Sequence, residues 1–185
     1  EGWARDAFSL LISIAEKTER IKLATGIVNA YSRTPGALAQ HFATLAEWSG
    51  GRAIIGLGAS SANVVEQFHG VPFQPSLARL RETVEVINML MRGEKLVYQG
   101  KWFNFDKGFT LRFKPVRDHI PVYLATLHPK SVKMTAEVAD GWMPAFIPRS
   151  ALKQQIDEFR GWAAAAGRDP KAIEVKAGGV TVSND

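Results

Sequence analysis

The stretch from Ile21 to Ser61 constrains this chain more than any other, because its three parts ask for three backbones in a fixed order. IKLATGIV is a short apolar run rich in β-branched residues, too short for a helix, and reads as a strand. The period then changes: Ala37, Leu38, Phe42, Leu45 and Trp48 recur at helical spacing. Thr34 can accept free first-turn N–H groups and Pro35 loses no bond at the first helical position, so the helix starts there. Ser49-Gly50-Gly51 ends it, since glycine can take the left-handed conformation. Ala53 to Leu57 is a second buried strand, with Gly58-Ala59-Ser60-Ser61 at its C-terminal end. This is one βαβ unit, which implies parallel strands joined by a right-handed crossover.

The rest of the chain extends that rhythm. Asp6 to Thr18 predicts an amphipathic helix with Phe8, Leu11, Ile12 and Ala15 on one face. ANVVEQFHGVPFQPS, with a glycine and two prolines, reads as a loop with room for one helical turn. A long helix follows from Leu77 to Arg92, with Leu80, Val84, Ile87, Leu90 and Met91 as its buried stripe and Gly93 as its stop. LVYQGKWFNF predicts a small hairpin, Phe109 to Pro115 is extended, and Val122 to Ala125 is another buried strand. Pro129 opens a helix that carries Val132, Met134, Ala136 and Val138. Gly141 breaks it, Trp142 to Phe146 reads as a strand, Ser150 caps a helix to about Ala166, and Ile173 to Val182 is the last strand. The expectation is an α/β fold, one domain over residues 1–185 with an excursion at about 62–119.

Composition narrows the function classes. At 185 residues and 46% hydrophobic, the chain can bury one substantial core, and no apolar run approaches a membrane span. No signal peptide is visible although the chain begins at Glu1, and the absence of cysteine removes disulfides, thiolate nucleophiles and Cys-based metal sites. A cytoplasmic setting is the expectation. The net charge of +5 would suit a polyanionic ligand, but it is scattered rather than blocked, which argues against nucleic acid as a partner.

In parallel α/β folds ligands collect at the C-terminal ends of strands. Those ends here are Gly26-Ile27-Val28-Asn29, Gly58-Ala59-Ser60-Ser61 and Ala125-Thr126-Leu127-His128. Small residues there let a ring or phosphate approach the backbone, although each taken singly also reads as an ordinary turn. Gly56-Leu57-Gly58 lacks the third glycine of a dinucleotide fingerprint, and no helix clearly opens at the right distance. The Thr126 to Lys130 turn is the better phosphate candidate, combining helix-start N–H groups with a lysine, against the alternative of a plain cap. His41, His69, His119 and His128 show no metal-ligand spacing, so no metal is expected. Glu66 and His69 could form an acid/base pair if their loop folds over the mouth, and His128 could contact a ligand.

LATGIVNAYSRTP, LAEWSGGRAIIGLGASS, VVEQFHGVPF, ARLRETVEVINMLMRGE, YQGKWFNF and IPVYLATLHPKSVKMTAEVADGWMP together resemble the bacterial luciferase-like flavin and deazaflavin oxidoreductases over nearly the whole chain. The GLG-x-S turn with HGVPF looks most like the branch that uses coenzyme F420, a deazaflavin. The resemblance implies a (β/α)8 TIM barrel with the cofactor at its C-terminal mouth, represented here by a central portion incomplete at both ends. It implies a non-proline cis peptide at Gly26-Ile27 backing the ring, with Val28 beside it, and ring contacts from Gly58, Ala59, Ser60 and Ser61. Ala125, Thr126, Leu127, His128 and Lys130 would hold the phosphate. The implied reaction is hydride transfer between F420 and a small organic substrate, and a homodimer is plausible. Alternatives on the same scaffold are an FMN-dependent monooxygenase and a non-catalytic cofactor-binding barrel. Two positions depart from the family pattern. Ser61 stands where some deazaflavin members have a glutamate, and His128-Pro129 stands where Gly-Pro is usual, so no catalytic residue is assigned.

Overall fold

The computed structural model describes residues 4–74, 77–145 and 147–177. The chain divides into two compact units, residues 1–122 and 123–185.

The first unit opens with α1 (Ala7–Lys17), capped by Asp6, whose carboxylate accepts the Ser9 N–H at 2.7 Å. Phe8 and Ala15 are its buried residues. The strand expected over 21–28 is two short pieces, β1 (Leu23–Ala24) and β2 (Val28–Asn29), flanking α2 (Pro35–Trp48) on its N-terminal side. Both pair in parallel with β3 (Ala53–Gly58). Register explains the interruption. From Ala24↔Ile54 to Val28↔Leu57 the first chain advances four residues and β3 only three, so one extra residue bulges out.

Thr25 closes that gap with its side chain. Its hydroxyl donates to Gly56 O at 2.7 Å and accepts the Gly56 N–H at 3.1 Å. The approach is so close that a Cβ on Gly56 would sit 1.8 Å from Thr25 O.

Thr34 caps α2 as expected, accepting the Ala37 N–H at 3.2 Å. Leu38, Phe42, Leu45 and Ala46 are fully buried, but Trp48 is 52% exposed, against expectation. Ten residues past Leu38 a helix has turned about 80° short of three full turns, which takes Trp48 off the buried face. The α2–β3 corner is tied by Arg52, all five of whose N–H groups are used. Nε donates to Ser49 O, Nη1 to Thr18 Oγ1 and Ile21 O, and Nη2 to Ala15 O and Thr18 O.

After β3 come α3 (Ala62–Gln67), α4 (Leu77–Met91) and the antiparallel hairpin β4 (Leu96–Gln99) and β5 (Asn104–Phe109). The expected α4 stripe is buried, and so, unexpectedly, is Glu82, at 5% exposure. Its carboxylate accepts the N–H groups of Lys101, Trp102 and Phe103 at 2.8 to 3.0 Å, which pins the hairpin turn to the helix. One turn on, Tyr98 donates to Glu85 at 2.5 Å, and burial first, then this carboxylate, pushes its phenol well above the usual range.

The second unit holds β6 (Val122–Ala125, begun by the last residue of the first), α5 (Pro129–Val138), β7 (Gly141–Trp142), α6 (Arg149–Ala165) and β8 (Glu174–Val175). β7 pairs in parallel with both β6 and β8. The strand expected to reach Phe146 stops at Trp142, because Pro144 has no N–H to continue a ladder, and Phe146 lies outside the described residues. α6 begins one residue before the expected Ser150 cap. Pro148 holds the cap position, and its carbonyl accepts from Ala151 and Leu152 at 2.9 and 3.1 Å. Of the expected last strand only Glu174–Val175 pairs, and residues from Gly178 lie outside the described set.

The core of this unit is Trp142 stacked on Phe159 at 5.0 Å, with Val132, Ala136, Ala163 and Ile173 around them. Across the sheet, Tyr123, Gly141 and Glu174 form one row. Gly141 leaves room for the Tyr123 ring, which a Cβ would meet at 2.6 Å, and the phenol bonds Glu174. Burial and then that carboxylate raise the Tyr123 phenol well above its ordinary value. No helix among the described residues is long and apolar enough to cross a membrane.

Candidate functional site

In the first unit the bulge and the turn after β3 meet. Asn29 is paired with Gly58, and the Ala30 N–H donates to Gly58 O at 3.0 Å. The Gly26–Ile27 peptide is cis, at the position the resemblance implies. Gly26 is exposed, and nothing lies within 4 Å of where its Cβ would be, so the bulge presents bare backbone to open space. Val28 is fully buried beneath it and Ile27 is half-buried. Opposite, Ser60 has φ +63°, among the described residues the only non-glycine in the left-handed region, and it is exposed with Ser61. An L-residue held there costs roughly 1 to 2 kcal/mol. Contrary to expectation a helix does open after the GLG turn, with Ser61 at the cap position of α3, although its side chain makes no capping bond.

Sequence reasoning missed the groups that brace this region. Asn29 is fully buried, and its Oδ1 accepts the N–H groups of Tyr31 and Ser32 at 3.0 and 2.6 Å. Arg79 donates to Ala30 O at 3.2 Å, and its guanidinium lies over Tyr31, Trp102 and Phe103 at 4.4, 5.5 and 5.3 Å from the ring centres. The only hint in the sequence was an amide placed directly after an apolar strand. The expected Glu66–His69 pair does not form. Glu66 accepts the Phe73 N–H at 3.0 Å, and His69 Nε2 lies 3.3 Å from Asn29 Nδ2.

In the second unit the turn from Ala125 to Lys130 joins β6 to α5. Thr126 is buried, its hydroxyl 2.8 Å from that of Thr135, and its carbonyl accepts the Trp142 Nε1–H at 3.0 Å. Leu127, His128, Pro129 and Lys130 are exposed. His128 O accepts from Ser131 N, Ser131 Oγ and Val132 N, while the His128 ring makes no capping bond. The Lys130 N–H therefore stands at an open helix start without an intrahelical acceptor. These residues suit a phosphate. No group of three or more His, Cys, Asp or Glu able to hold a metal occurs among the described residues.

The family model described as luciferase-like monooxygenase matches residues 1–185. A 5,10-methylenetetrahydromethanopterin reductase from Archaeoglobus fulgidus is 39% identical over 74% of this chain and 40% of its own length. The structure of the coenzyme F420-dependent tetrahydromethanopterin reductase from Methanopyrus kandleri superposes with TM-score 0.85 at 27% identity, over 95% of this chain and 55% of that one. An F420-dependent secondary alcohol dehydrogenase, solved with an F420–acetone adduct, gives TM-score 0.83 at 28% identity over 93% and 53%. The chain thus spans about half the length of the relatives it matches.

Proposed function

Because the chain belongs to the luciferase-like monooxygenase family and carries part of that family's (β/α)8 barrel, we propose that it is part of an oxidoreductase that transfers hydride between coenzyme F420 and a small organic substrate. The observation that carries this reading is the bulge, whose Gly26 faces open space and whose continuation, Val28–Asn29, is paired with Leu57–Gly58. Bare backbone at a glycine admits a flat ring to van der Waals contact, and the paired strand beneath resists its displacement. When bound, F420 supplies the hydride-carrying carbon.

The residues of this chain bind and orient. Gly26 and Ile27 form the surface under the ring, with Val28 buried behind them, and Gly58 to Ser61 line its edge. Within the second unit, Ala125 to Lys130 offer a phosphate the α5 N-terminus, the Lys130 ammonium and the exposed His128. Holding donor and acceptor in register is the larger share of such a protein's contribution. The two solved relatives named for F420 support the deazaflavin over FMN.

Parallel fluorescence titrations of the purified chain with F420 and FMN test this. Saturable binding of F420, weakened by Gly26→Val, is the expected outcome. Preference for FMN would replace the reading with a flavin monooxygenase. Binding of neither would overturn it.

A further inference from the structure

Asn29 and His69 form a pair whose hydrogen-bond directions are determined by their neighbours. The Asn29 amide is fully buried. Its oxygen faces two backbone N–H groups, those of Tyr31 and Ser32, which can only donate. The amide therefore cannot be flipped, and its NH2 end points at His69 Nε2, 3.3 Å away. An NH2 group only donates, so Nε2 must accept, and the proton of the neutral imidazole sits on Nδ1. His69 is half-buried, with Phe68 edge-on to its ring at 5.1 Å. Nδ1 has no hydrogen-bond partner among the described residues.

The result is a ring locked at one nitrogen by a buried amide, with an oriented N–H donor at the other. It adjoins the strand end that continues the Gly26–Val28 bulge and is laddered to Gly58. An unpartnered donor held this way is preorganised, and binding to it does not require a side chain to be ordered first.

We propose that His69 is a ligand-binding residue whose Nδ1–H donates to a carbonyl oxygen or ring nitrogen of the deazaflavin, with Asn29 as the positioning residue that selects the tautomer. The assignment rests on the F420 reading above. It also explains how a chain with Ser61 in place of an acid still presents a directed polar group at this strand end.

The test uses the purified chain labelled with nitrogen-15. Long-range proton–nitrogen spectra should show a pyridine-like Nε2 and a pyrrole-like Nδ1 for His69, and F420 should move the Nδ1 resonance more than Nε2. His69→Phe keeps a flat ring without the donor and should weaken F420 binding about five- to tenfold. His69→Gln, which restores an N–H, should recover part of that loss. A proton found on Nε2, or wild-type affinity in a folded His69→Phe, overturns the proposal and leaves the cofactor reading standing. Failure of the wild-type chain to bind F420, with the tautomer as assigned, overturns both.

Discussion

Two strands in this chain omit a side chain so that a neighbour can enter, and they admit different things. In β3, Gly56 receives the main chain of Thr25, whose carbonyl lies where a Cβ would be. In β7, Gly141 receives the ring of Tyr123, which crosses it to reach Glu174. A side chain can shift by rotating at its Cα–Cβ bond, whereas a carbonyl in the middle of a bulge moves only if the bulge moves. The first arrangement makes the candidate ring surface intolerant of added volume. The second holds a sheet together and leaves some play.

That contrast can be broken at several strengths. Gly56→Ala should be the most damaging, destabilising the chain by more than about 3 kcal/mol or preventing folding, because the clash is with backbone. Thermal unfolding would check it, and a mild effect would mean that the bulge is softer than its contacts imply. Gly141→Ala should cost less, roughly 1 to 3 kcal/mol, because the clash is with a side chain that can shift rather than with main chain. Thr126→Val should cost about 1 kcal/mol in denaturant unfolding, since it removes one buried hydroxyl bond while Thr135 keeps its bond to Ser131 O.

Ser60→Gly should leave stability unchanged or raise it by up to about 1 kcal/mol, since glycine accepts the left-handed backbone. A clear loss would show that the Ser60 hydroxyl matters more than its conformation. The smallest effect is in alkali. Tyr98 and Tyr123 hold their protons above the pH, near 10, at which the unfolded chain releases them. The unfolded state therefore sheds protons first, and stability, full below about pH 10, falls as pH rises past it. Tyr98→Phe should flatten part of that fall in unfolding curves taken at increasing pH.

Local chemistry was legible in the sequence. Thr34-Pro35 starts α2, Pro129 starts α5, and the α4 stripe is buried, because each depends only on residues a turn apart. The family match and the barrel fold agree with the resemblance that the ordered motifs carried. Periodicity alone did not show the break in the first strand. One apolar run serves two ladders, and the extra residue appears only when its pairing with β3 is known. The bracing groups were also hidden. Glu82 looks like a solvated helix residue until three N–H groups nineteen to twenty-one positions away converge on it, and Asn29 meets His69 forty positions on.

Arg52 shows how little a count of charges says about what a basic chain can attract. Every N–H of its guanidinium is committed to an oxygen of the chain, mostly the carbonyls that end α1 and α2. Arg168 spends one nitrogen on two carbonyls around the end of α5, and Arg117 reaches Gly51 O. These arginines act as internal fasteners, closing helix ends that would otherwise draw on water. Arg52, as a donor to an outside anion, is already fully occupied. The formal +5 therefore overstates the capacity for forked contacts to phosphate or carboxylate.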